Sequence, residues 1–234
     1  MKTSGLEQMR AKYARIAAAL NEEYGYPTWR QHYPPVDEMM LTFLSQNTSD
    51  TNSLRAFEQI KARYAEWEAV RDAQPGELID TIRSAGLANQ KGPRMQAALR
   101  YLTETQGRIT LDHLQDMPVT DAKRWLTSIN GIGPKTAAII LLFSMNKPAY
   151  PVDTHVHRVT RRLGLVGDKT TAEQAHVIME QIVPEKDYYA SHLQIIQHGR
   201  EVCHARNPRC GVCVLQKECD YFNQLPAGTS RSSR

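Results

Sequence analysis

The stretch Leu126-Thr127-Ser128-Ile129-Asn130-Gly131-Ile132-Gly133-Pro134-Lys135-Thr136-Ala137 joins two helices through a turn that leaves its backbone bare. A helix read over residues 121–128 ends there, and another begins at Pro134. Gly131 and Gly133 flank Ile132 and allow positive φ, so neighbouring amide N–H groups can point outward together. Pro134 suits the first turn of the new helix, where its missing N–H costs nothing. Converging amides and a helix N-terminus make an anion site that a DNA phosphate would fit. The plainer alternative is a helix–turn–helix corner, since Gly-x-Gly is a weak motif.

Downstream, Ala137, Ala138, Ile139, Ile140, Leu141, Leu142, Phe143 and Met145 are apolar all round, the signature of a buried helix. Lys135 is therefore expected at the mouth of a low-dielectric element. Partial desolvation and the positive helix end would both disfavour its ammonium. A neutral amine there could attack an electrophilic sugar carbon and form a Schiff base. The competing reading is a surface lysine touching phosphate. Beyond the buried helix come Pro151-Val152-Asp153-Thr154-His155 and a basic helix with Arg158, Arg161 and Arg162. Asp153 is placed to cap that helix. A carboxylate near a cationic amine can also stabilise positive charge developing on a sugar ring.

All four cysteines fall within seventeen residues: Cys203, Cys210, Cys213 and Cys219. Four thiolates so gathered describe one closed metal site. Disulfides fit less well. The first ten residues are charged and lack a secretory signal's apolar run, and clustered thiols in a cytosolic chain are metal ligands more often than staples. Only Cys210 and Cys213 form a Cys-x-x-Cys knuckle, and the overall spacing matches neither paired zinc knuckles nor the ferredoxin patterns. Spacing alone leaves zinc and iron–sulfur open.

The 234 residues suffice for one large core or two lobes, and 41% hydrophobic with 23% charged residues is ordinary for a folded chain. A net charge of +4 permits a polyanionic partner without requiring one. Helical spacing recurs in residues 37–44, in Leu54, Phe57 and Ile60, and in Leu78, Ile79 and Ile82 before Gly86. It continues in Met95, Ala98, Leu99 and Leu102, and in Ala172, Ala175, Ile178, Met179 and Ile182. No hairpin signals separate alternating runs, so the expected class is all-α. No stretch approaches the ~18 apolar residues of a membrane span. The tail, residues 225–234, is small, polar and basic, and is expected to be disordered.

Together these residues resemble the helix-hairpin-helix DNA glycosylases with an iron–sulfur cluster. The resemblance rests on the Leu-x-x-Ile-x-Gly-Ile-Gly-x-Lys-Thr-Ala hairpin, the Val-Asp-Thr-His segment and the C-x6-C-x2-C-x5-C terminus. It covers residues 26–222. It implies a [4Fe–4S] cluster on Cys203, Cys210, Cys213 and Cys219, with Lys135 as nucleophile and Asp153 as essential carboxylate. It further implies double-stranded DNA carrying damaged or abasic sites as partner, excision of oxidised pyrimidines, and strand cleavage by β-elimination. A monofunctional glycosylase or a non-catalytic lesion-binding iron–sulfur protein are the alternatives. Residues 44–50 are similar to the family's first wedge loop, with Gln46 or Asn47 filling the vacated base position. Residues 84–91 are similar to the second, with Leu87 at its tip. Arg206 and Arg209, between the first two cysteines, are expected on DNA phosphates. The implied architecture is two helical lobes about a DNA-binding cleft. Residues 29–147 would form a six-helix barrel with the hairpin, and residues 1–28 and 148–224 an iron–sulfur lobe. A monomer in the cytoplasm, associated with the nucleoid in a bacterium, completes the expectation.

Overall fold

A computed structural model of the chain describes residues 3–225, so the tail expected to be disordered lies outside the described residues except for Leu225. Every regular element among them is helical. Among the described residues no helix is long and apolar enough to cross a membrane. Two compact units emerge. One combines the chain up to Trp29 with the chain from Pro148 onward, and the other is Arg30–Lys147.

The chain enters through α1 (Thr3–Tyr24) and continues into the second unit. There α2 (Pro35–Ser45), α3 (Asp50–Arg63), α4 (Trp67–Asp72), α5 (Pro75–Thr81), α6 (Ala88–Gln106), α7 (Val119–Thr127) and α8 (Pro134–Ile139) follow in order. Proline opens α2, α5 and α8 at positions where a helix needs no donor. The core is built on α2, whose Met39, Met40, Phe43 and Leu44 are fully buried. It packs against α3, α6, α8 and the helical turn after α8. Leu78, Ile82, Met95, Leu99, Leu102, Leu114 and Leu126 complete it, each contributing about 1.5–3 kcal/mol of burial. The ends of this unit meet: the His32 N–H donates to the Phe143 carbonyl at 3.1 Å, and Gln31 Nε2 donates to the Ser144 carbonyl at 2.9 Å.

Two local expectations change. The core face of α3 is Ser53, Ala56, Phe57 and Ile60, so Leu54 lies one position off it and stays 38% exposed. The apolar run after Lys135 is buried but is not one α-helix, because Ile140–Ser144 adopts π geometry. One residue more per turn lets Leu141, Leu142 and Phe143 all reach buried surroundings.

In the first unit the chain resumes with α9 (Thr154–Arg162), α10 (Ala172–Ile182), α11 (Tyr188–Glu201) and a short α12 (Asp220–Asn223). α10 starts with a capping box in which Thr171 and Gln174 satisfy one another's backbone N–H groups. α1 packs on α10 and α11 through Tyr13, Ile16 and Leu20. Its polar edge reaches the end of the chain: Lys12 pairs with Asp220 at 2.6 Å, and Arg15 grips both oxygens of Glu218 at 2.8 and 3.0 Å. Periodicity does not reveal α11, because its buried face is polar. Ser191 bonds Tyr150 Oη at 2.9 Å, His192 meets the Pro151 carbonyl at 3.0 Å, and Gln194 donates to Asn21 Oδ1 at 2.8 Å.

Candidate active-site residues and the cysteine segment

The hairpin begins where α7 stops. Backbone bonds from Ile129 to Leu126 (3.1 Å) and from Ile132 to Ile129 (3.0 Å) fold the turn, and Ile132 is buried beneath it. Gly131 has φ +91°, and a Cβ there would stand 2.8 Å from Phe43 Cε1, so conformation and space both require glycine. Gly133 is extended and its carbonyl takes the first bond of α8, from Ala137 at 3.0 Å. The N–H groups of Gly131 and Gly133 donate to nothing among the described residues, which leaves them available to an external acceptor. Lys135 follows Pro134 at the second position of α8 and is exposed. The buried side chains of the helix start only at Thr136.

Two loops carry the remaining predicted residues of this unit. Between α2 and α3, Gln46 and Asn47 play different parts. Gln46 Nε2 donates to the Gly131 carbonyl at 3.0 Å, fastening the loop to the hairpin. Asn47 is exposed with φ +53°, and α3 is capped by Ser49, whose hydroxyl accepts from the Asn52 N–H. Between α5 and α6, Gly86 adopts φ +66°, ψ 160°, a conformation open to glycine almost alone. Leu87 follows in the left-handed region at φ +50°, with half of its surface exposed. An apolar side chain held so is strained and solvated at once.

Asp153 lies in the other unit. It caps α9, its Oδ1 accepting from the Val156 N–H at 2.7 Å. The same helix holds the cysteine segment. Arg158 donates to the carbonyls of Cys203 (3.0 Å) and Gly199 (2.8 Å). One turn on, Arg162 reaches Cys203 Sγ at 3.2 Å and the carbonyls of His204 and Ala205 at 2.7 and 3.1 Å, with its guanidinium 4.8 Å from the Tyr221 ring centre. In sequence these arginines read as a basic face, and the i, i+4 spacing of Arg158 and Arg162 is the signal that they act together. Arg206 and Arg209 are exposed on the loop so fixed, and Asn207 turns it with φ +51°.

All four cysteines line one cavity, walled by Val159, Leu163, Val202, Leu215 and Phe222. Among the described residues no three His, Cys, Asp or Glu side chains converge as a single-ion site. Burial pushes the Cys213 thiol up to about 11, and pushes Cys210 and Cys219 up as well, so without metal they hold their protons. Bound iron reverses that preference. His198 Nε2 stands 3.5 Å from Cys213 Sγ, and burial drives this imidazole down to about 4, keeping it neutral. The donor set fits an iron–sulfur cluster.

A helix-hairpin-helix unit joined to a four-cysteine segment is thus defined by geometry, and comparison with known proteins gives its family. Residues 40–185 match the HhH-GPD superfamily base excision DNA repair protein family, and residues 203–219 match the iron–sulfur binding domain of endonuclease III. Endonuclease III of Thermotoga maritima is 30% identical over 88% of this chain and 92% of its own length. Endonuclease III of Sulfolobus acidocaldarius is 31% identical over 79% and 81%. A solved non-covalent endonuclease III–DNA complex superposes with a TM-score of 0.79 over 92% of this chain and 96% of its own, at 22% identity, and so speaks for the fold. The chain belongs to the HhH-GPD superfamily as an endonuclease III-like base excision repair DNA glycosylase, with a [4Fe–4S] cluster as cofactor.

Proposed function

We propose that this glycosylase is bifunctional, removing oxidised pyrimidines from double-stranded DNA and nicking the strand 3′ to the resulting site. The observation that carries the proposal is Lys135: an exposed primary amine two residues beyond Gly133, next to backbone N–H groups that no described residue uses. Phosphate on the Gly131 and Gly133 amides would bring a sugar within reach of that amine. Lys135 is exposed in the protein alone, so its amine is open to a bound nucleotide.

The amine attacks C1′ of the everted nucleotide, the C1′–N bond breaks, and the base departs with a proton. Loss of the amine's protons and opening of the sugar give the imine. Abstraction of a C2′ proton then expels the 3′ phosphate and leaves the nick. The family resemblance gives Asp153 to the same reaction, as the carboxylate that balances positive charge on the sugar. Eversion leaves a gap in the stack, which the exposed Asn47 and Leu87 suit, while Gln46 keeps the hairpin in register. Cys203, Cys210, Cys213 and Cys219 would hold the cluster, which when bound supplies four iron–thiolate bonds that close the segment and fix Arg206 and Arg209 for phosphate contact.

Borohydride trapping tests the proposal. With a thymine-glycol duplex the wild-type protein should form a covalent complex, and Lys135→Gln should form none. A trapped complex from Lys135→Gln would overturn the lysine assignment. Base release without strand cleavage by the wild type would show a monofunctional enzyme.

A further inference from the structure

Lys91, on the second turn of α6, is 2% exposed, yet no carboxylate pairs with it among the described residues. Its Nζ donates instead to two main-chain carbonyls, Leu44 at 2.6 Å and Ala85 at 2.7 Å. Burial disfavours the ammonium and pushes its pKa down. A methionine would fill similar space without losing hydration, so what lysine adds is the pair of charge-assisted bonds. Both lead to exposed tips. Leu44 lies three residues before Asn47, and Ala85 lies two residues before Leu87. Each tip is a non-glycine residue in the left-handed region, held there at a conformational cost. Gln46 extends the linkage to the hairpin through the Gly131 carbonyl.

We infer that Lys91 is a positioning residue for base eversion, holding the two loops at a fixed separation so that Asn47 and Leu87 enter the duplex together. The inference rests on the glycosylase reading. It goes beyond it by assigning a role to a side chain that faces neither solvent nor substrate. An ammonium suits this task because its compact tetrahedral donors can serve two carbonyls that approach from different loops.

Two reactions on matched duplexes test this. Release of a paired thymine glycol requires eversion of a stacked base, whereas nicking at a preformed abasic site requires much less. Lys91→Met should slow single-turnover base release on the order of 30-fold and abasic-site nicking by no more than about 3-fold. Fluorescence of 2-aminopurine beside the lesion should rise less on binding than it does with the wild type. Equal losses in both reactions would mean that Lys91 merely supports the fold, and no loss in either would mean that the tie is idle; both overturn the inference. Should Lys91→Met fail to fold, Lys91→Gln, which keeps one donor group, carries the same comparison. A wild type that neither releases base nor nicks would refute the glycosylase reading itself, whereas an active wild type with proportionate losses refutes only the role of Lys91.

Discussion

The two units of this protein are stabilised in different ways. Arg30–Lys147 is one continuous piece of chain, its ends fastened by Gln31 and His32, with a core of fully buried aliphatic side chains around α2. The other unit is assembled from segments more than a hundred residues apart. It relies on buried polar side chains in α11, on arginines bonded to carbonyls and on four cysteines around a cavity. Apolar packing tolerates the absence of any cofactor, whereas short 3-10 turns at Cys210–Val212 and Gln216–Glu218 have few apolar contacts of their own. Both units bury apolar side chains, Ile16, Val159, Met179 and Ile195 among them in the second, but the cysteine segment has little core of its own and is where metal binding would add to folding.

The largest effect that separates the units is chemical. Lys135→Gln should lower strand cleavage by at least about 10³-fold and leave thermal stability and cluster absorption unchanged, because an exposed side chain contributes little to packing. Cys213→Ser should act in reverse. Cluster content, followed by iron analysis and visible absorption, should be lost, and proteolysis should open residues 203–223 while Arg30–Lys147 remains protected. DNA affinity should fall about tenfold or more as Arg206 and Arg209 lose their support, and normal affinity in the cluster-free protein would refute that linkage. Next comes Leu99→Ala, a cavity in the apolar core, expected to destabilise Arg30–Lys147 by about 2–5 kcal/mol in urea unfolding with cluster content retained.

The smallest effect is a pH dependence within the apolar unit. Glu38 is buried with Oε2 unpartnered, and burial pushes its carboxyl up to about 7. A carboxyl raised on folding keeps its proton in the native state while the unfolded chain has already released it. Stability contributed by this group therefore falls as pH rises from about 4.5 through about 7. Urea unfolding should show a loss of roughly 2 kcal/mol between pH 5 and pH 8, and Glu38→Gln should flatten it. A slope unchanged in Glu38→Gln would place the titration elsewhere.

Sequence was most informative where one physical requirement dominates. Gly131 announces a positive φ, Pro134 a helix start, and the cysteine spacing a closed segment. The family resemblance then agreed with the matched families and the cluster assignment. Periodicity failed where polar groups are buried and satisfied by distant partners: α11 hides behind Ser191, His192, Gln194 and His198, all facing inward. It failed again at Ile140–Ser144, since an apolar run does not distinguish α from π geometry. The adjacent Gln46 and Asn47 could not be separated by spacing, because the difference lies in one hydrogen bond to a carbonyl 85 residues away. Lys91 closes the stretch that resembles the second wedge loop, but nothing in its spacing marks its burial or its bonds to the Leu44 and Ala85 carbonyls.

The attachment of α1 to Asp220 and Glu218 has a consequence for synthesis. During translation α1 leaves the ribosome with Tyr13, Ile16 and Leu20 ready for burial, but the helices and acidic partners that receive it are made more than a hundred residues later. Arg30–Lys147 has all of its own contacts once Lys147 has emerged, so it can fold while the earlier helix still waits. α1 is therefore made before Arg30–Lys147 but docks after it, and until then its apolar stripe is a hydrophobic surface that a chaperone could recognise.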